Sequence, residues 1–343
     1  MELKFAYMMN KRDSQLDILK GIGIILVVFA HTSETDVNSI IYLFHMPLFF
    51  FLSGAALDYS SNKDINLLKR FKHIMVPYFL FSMLCFLYWY FVEMRFRPIH
   101  ESSQFSGWLG SLDYRWQQFI NIITGFSVKS SFVYNAVLWF LPCLFVAMII
   151  YQALRKWLGR YSVIGVVMLA STAFFFNNIR LPWCTEIAFV ALPFIYGGKM
   201  LYGKIRIASP WIGTLFFLSI ILILIFQPHV SMKRHVYGEW WLFYLVAFCI
   251  ILSLCVFSRY LVNREKGILK WLGKNSLAIM CIHEPVKRIL LVVVSKLSGM
   301  DVATLRESVI ISISITILLM LLLVPVIIGI NRYIPFILGK EKR

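Results

Sequence analysis

The sequence predicts an all-α membrane protein, a polytopic transmembrane helical bundle of about ten spans with both termini cytoplasmic. Three observations carry this. Hydrophobic residues make up 59% of the 343-residue chain and charged residues 15%, with mean hydropathy +0.75; soluble domains hold about 45–50% apolar and about 25% charged residues. The apolar residues fall into runs near the roughly 20 residues that cross a hydrocarbon core. The basic residues lie between these runs and favour one side of the membrane. This composition excludes a soluble globular domain and intrinsic disorder.

Reading from the N-terminus, the runs lie near 16–33, 37–57, 73–93, 134–153, 161–177, 186–203, 208–227, 240–258, 275–297 and 307–330. The first follows Lys11 and Arg12 as a signal sequence would. No small-residue cleavage site follows, and the run contains Lys20 and His31, so a retained span is expected. The fifth run is the shortest. Residues 108–125 read as an amphipathic segment on the membrane surface. The long outer loop, about 94–133, is rich in polar and aromatic groups such as Gln104, Trp108, Trp116 and Gln117. With the N-terminus inside, 22 of the 34 Lys and Arg fall in cytoplasmic segments, which supports an even number of spans.

The net charge of +17 follows from this topology, and no aromatic-interleaved basic block suggests nucleic acid. The six cysteines form no Cys-x-x-Cys pair. No metal-ligand spacing is evident, so no metal is expected.

Ionisable residues within spans mark candidate functional positions. Lys20 and His31 are eleven residues apart, which brings them within about 20° of one face and places them about 16 Å apart along a helix. Asp17 lies three residues before Lys20, in pairing range. Gly21 and Gly23 allow a neighbour to approach. His45 precedes Pro47 in the second run, and Pro47 frees a carbonyl. Lys69, Arg70, Lys72 and His73 gather at the start of the third, where a helix N-terminus and formal charge together suit a phosphate. The ninth run holds His283, Glu284, Lys287 and Arg288, whose i,i+4 couples belong in a polar interior. Glu186 opens the sixth. A snorkelling Lys, a His satisfied by backbone and simple topology-setting charge remain the structural alternatives for these positions.

Several of these segments resemble the membrane acyltransferase-3 family. Asp17-x-x-Lys20-Gly21 leading to His31, Phe44-His45-Met46-Pro47-Leu48-Phe49-Phe50 with Ser53-Gly54, Leu138-Trp139-Phe140-Leu141-Pro142, and Leu272-Gly273-Lys274-Asn275-Ser276 leading to His283 match its motifs in order. The match is closest to the fucose 4-O-acetylase-like sugar O-acetyltransferases. One departure is Arg70-x-x-His73 where the family usually has two arginines. The resemblance implies transfer of an acetyl or other short acyl group from cytoplasmic acetyl-CoA to a sugar hydroxyl of a surface polysaccharide or its lipid-linked precursor, in a bacterial inner membrane. Catalytic candidates are then His31, Lys20, Glu186, His45 and His283. Lys69, Arg70, Lys72 and His73 are the candidates for holding coenzyme A, and Trp139, Glu284 and Arg288 for binding the acceptor. His31 would be the general base toward the hydroxyl. The rival reading is a transporter or flippase of lipid-linked glycans, which also needs intramembrane charge, although no internal repeat supports it.

Overall fold

The computed structural model describes residues 13–57, 66–96, 110–128, 131–176, 178–205, 211–262, 264 and 267–340. Lys11, Arg12, Gln104 and Trp108 lie outside them, as do both chain ends. Helices dominate: α1 Ser14–Thr32, α2 Val37–Ala55, α3 Leu67–Tyr88, α4 Tyr114–Thr124, α5 Phe140–Leu158, α6 Ser162–Phe175, α7 Thr185–Ile205, α8 Trp211–Phe226, α9 Trp240–Val262, α10 Ile268–Lys274, α11 Ser276–Ser298, α12 Val302–Glu307 and α13 Val309–Tyr333. Among the described residues the sole β pairing is an isolated bridge between Ser231 and Val236. The fold is an all-α polytopic bundle.

Among the described residues, seven helical stretches are long and apolar enough to cross a bilayer. One of them, Phe140–Phe175, is 36 residues long but is not a single rod. At Gly159 φ is +52°, a value that favours glycine, and the chain folds back there. Gly165 of α6 consequently lies against the Leu154 and Leu158 side chains of α5. The expected span at 161–177 is therefore the returning arm of a hairpin. Its 14 helical residues cover about 21 Å at 1.5 Å per residue. Helix α11 falls outside the seven because it carries Glu284, Lys287, Arg288 and Lys296; it is nevertheless 23 residues long and buries its charged side.

Close backbone approaches hold α1 in the centre. Gly21 faces the Leu269 backbone of α10, and Gly273 of α10 faces the Asp17 backbone of α1, so each glycine makes room for the other helix. Gly54 of α2 and Gly198 of α7 meet in the same reciprocal way.

Hydrogen bonds define the two ends of the bundle. At the end where α1 begins, Gln15 donates to Cys255 O (2.6 Å), Tyr202 donates to Asp13 (2.9 Å) and Asn331 donates to Asn275 (2.9 Å). Gly339 packs there on the backbone of Lys72 and His73, which fixes the start of α3 at this end. At the opposite end, Arg306 of α12 pairs with Glu34 and donates to His31 O (3.3 Å).

Of segment 108–125, residues 108 and 109 lie outside the described residues, and 110–125 differ from a simple surface helix. Within α4 it is the polar side, Gln117, Gln118 and Asn121, that is buried, while Trp116 and Ile123 are exposed. Gln117 donates to Leu112 O (2.7 Å), and the Asn121 side chain accepts from Phe126 N (2.8 Å). The polar face turns inward because Gln117 holds the segment before the helix and Asn121 the loop after it.

Candidate active site

The site forms where α1 and α11 pack together in the half of the bundle away from the start of α1. His31, in the last turn of α1, places Nδ1 3.7 Å from Glu284 Oε2. Its ring lies 5.4 Å from that of His283, centroid to centroid. The ring therefore faces polar partners within the bundle, and its side chain is 21% exposed.

Sequence spacing suggested two separate couples on α11, but the structure gathers both cations on one carboxylate. Lys287 donates to both Glu284 oxygens (2.8 and 2.9 Å), and Arg288 Nε reaches Glu284 Oε1 (3.3 Å). Glu284, with 5% of its side chain exposed, is thus held as an anion with one side free for His31. His283 turns back along its own helix to Ile279 O (2.9 Å). A carbonyl only accepts, so Nδ1 carries the proton and Nε2 offers a lone pair. That nitrogen is buried and makes no hydrogen bond among the described residues. In this tautomer Nε2 can accept a hydrogen bond but not donate one. His45 repeats the arrangement, donating from Nδ1 to Ile41 O (2.8 Å), with Tyr42 against its ring at 5.3 Å.

Pro285 explains how the neighbouring loop is attached. Proline lacks an N–H, so the carbonyl four residues earlier, Cys281 O, has no donor within the helix. Asn135 Nδ2 fills that position at 2.8 Å. Arg288 ties the same loop at Val133 O (2.8 Å) and also donates to Glu93 Oε2 (2.7 Å), in the turn that follows α3. Asn135, Glu93 and Arg306 were not singled out in the sequence. Pro285 was the one available signal, since it requires an outside donor for Cys281.

Other expected residues lie elsewhere. Lys20 is eleven residues before His31 on α1, about 16 Å toward the other end. At that end Lys69, Lys72 and His73 are exposed and Arg70 is half-buried. Glu186 does meet an imidazole, but that of His235 (3.4 Å) rather than His31, and it accepts from Leu181 N (3.0 Å). His235 also donates to Ser127 O (3.2 Å) and Lys233 to Ser131 O (3.0 Å), a second polar cluster among the connecting loops. Burial, with Arg180 nearby, pushes the His235 imidazole down to about 4. Burial likewise pushes Lys233 down to about 8. Trp139 is 5% exposed and meets Phe140 edge-on at 6.2 Å, which leaves no open ring face for a sugar to stack on.

His31, His283 and Glu284 each present a ligand-type atom within 4.8 Å of one another. Two cations already occupy Glu284, so a metal ion would have to displace them or share the carboxylate against their repulsion. The donor set suits proton transfer better than metal binding.

A helical bundle that crosses the membrane several times and keeps imidazoles, a carboxylate and cations in its interior defines an integral membrane enzyme. The chain belongs to the acyltransferase-3 family: the family model described as an acyltransferase domain matches residues 13–332. It is a multi-pass membrane acyltransferase acting on groups other than aminoacyl groups. No curated protein and no solved structure matches it.

Proposed function

We propose that this acyltransferase moves an acetyl or other short acyl group from acetyl-CoA on the cytoplasmic side to a sugar hydroxyl of a surface polysaccharide or its lipid-linked precursor, in a bacterial inner membrane. The observation that carries the reading is the His31–Glu284 pair inside the bundle. With Glu284 facing Nδ1, that nitrogen holds the ring proton and Nε2 is the base. Nε2 takes the proton of the acceptor hydroxyl as its oxygen attacks the thioester carbonyl. The C–S bond then breaks, and the leaving thiolate takes the proton back from the imidazolium. An oriented base of this kind contributes about 10²–10⁴-fold to rate.

The ends of the bundle support the direction of transfer. Lys69, Arg70, Lys72 and His73 crowd the start of α3, where coenzyme phosphates would sit, and the positive-inside rule assigns that end to the cytoplasm. Lys20 lies between that end and His31, where it can steady the pantetheine arm.

The test is mass analysis of surface polysaccharide from cells with the intact gene, without it, and with His31→Ala. Loss of an O-acetyl mass increment in both altered strains is expected. Unchanged acetylation together with failed glycan export would instead favour transport.

A further inference from the structure

The end of α3 carries a carboxylate that the acyl-transfer scheme does not yet use. α3 continues past Tyr88 into a π-helical turn, Trp89–Glu93. Such turns are uncommon and often mark functional positions. The buried side of α3 runs through Tyr78, Ser82, Cys85 and Trp89. At about 100° per residue an unbroken α-helix would carry Glu93 about 60° away from Tyr78. The wider turn brings Glu93 back toward that side, where it meets Arg288.

The three nitrogens of Arg288 are divided among three partners. Nη1 goes to Glu93 Oε2 (2.7 Å), Nη2 goes to Val133 O (2.8 Å), and Nε alone reaches Glu284 Oε1 (3.3 Å). An arginine beside a carboxylate favours a two-pronged grip with parallel N–H···O bonds. On Glu284 that grip would bring a second cation onto Oε2, the oxygen that Lys287 already contacts (2.8 Å) and that faces His31 (3.7 Å). Glu93 and Val133 hold the guanidinium in an orientation where it touches only the far oxygen.

We propose that Glu93 is a positioning residue for acyl transfer, restraining Arg288 so that Glu284 Oε2 stays available to His31. The inference rests on the reading of His31 and Glu284 as the base pair. It extends that pair into a chain, Glu93–Arg288–Glu284–His31, which draws one member from α1, one from the end of α3 and two from α11.

The experiment uses the full chain in nanodiscs, with acetyl-CoA as donor and polysaccharide extracted from the deletion strain as acceptor. Released coenzyme A thiol and acetylated product are both measured, and size-exclusion profiles confirm folding. Glu93→Gln should lower kcat about tenfold to hundredfold, the scale of a misplacement near 1 Å, with donor KM within twofold. Glu93→Asp should recover part of the loss. In an Arg288→Met background Glu93→Gln should cost nothing further, because its effect runs through Arg288. Unchanged kcat in Glu93→Gln, or losses that simply add in the double variant, would overturn the proposal. His31→Gln separates the two readings. If it is inactive while Glu93→Gln is unaffected, the positioning role alone fails; if it retains full activity, or the wild-type chain transfers nothing, the base assignment and this inference fail together.

Discussion

Replacing Glu284 with Gln is the most informative single change at the site. Glutamine keeps the shape and one acceptor oxygen but removes the charge that Lys287, Arg288 and His31 share. Arg288 keeps Glu93 as a counterion, whereas Lys287 has no other ion pair among the described residues. Removing one partner of a buried pair costs about 3–5 kcal/mol, and the cation stranded here is 8% exposed, so the upper part of that range applies. The catalytic effect is separate. Without the carboxylate, the His31 tautomer and orientation are no longer held, and a loss of about 10²–10⁴ in kcat is expected. Combining Glu284→Gln with Lys287→Met distinguishes the two effects. The double variant removes the stranded charge and should regain most of the thermal stability in detergent, yet remain inactive in thiol release from acetyl-CoA. Near wild-type turnover in Glu284→Gln, or recovery of turnover in the double variant, would refute the assignment.

Two further outcomes follow from the surrounding structure. Asn135→Leu leaves Cys281 O without a donor beside Pro285, a loss of about 1–3 kcal/mol, which a thermal unfolding shift would report. For His235, the folded imidazole is pushed down to about 4 from 6.5. Between those values the unfolded chain binds more protons than the folded one, so stability falls as the pH drops from 6.5 toward 4. His235→Gln, which can still donate to Ser127 O, should flatten that slope in unfolding midpoints measured against pH; equal slopes for both proteins would contradict it.

The helices were largely legible because apolar run length reports membrane crossing directly. Helix α11 shows where that signal weakens, since its charges place it outside a simple hydropathy window. The turn at Gly159 was legible as well, because the segment with Arg155, Lys156 and Arg160 separates two apolar runs; what stayed hidden is how short the returning helix is. At the site, helical spacing put His31 on an inward face and intramembrane charge picked out Glu284, Lys287 and Arg288. The Glu284–Arg288 couple was legible at i,i+4, whereas the contact of His31 with Glu284 was hidden, since it depends on how α1 and α11 pack. Glu186 stood out as an ionisable residue opening a span, but its neighbour His235 comes from a loop with no motif. Glu93 was not singled out because its partner Arg288 lies on another helix, and their meeting depends on how the ends of α3 and α11 pack.

The short arm α6 has a consequence for the surrounding lipid. Its outward side, including Val163, Ile164, Val167 and Met168, is apolar and exposed, yet its helix is about 9 Å shorter than a typical hydrocarbon core of about 30 Å. Acyl chains beside it must shorten or tilt to match, at a fraction of a kcal/mol per ångström of mismatch. The enzyme thereby imposes a local thinning on one flank, and the thickness of its host bilayer becomes a variable that acts on the protein from outside.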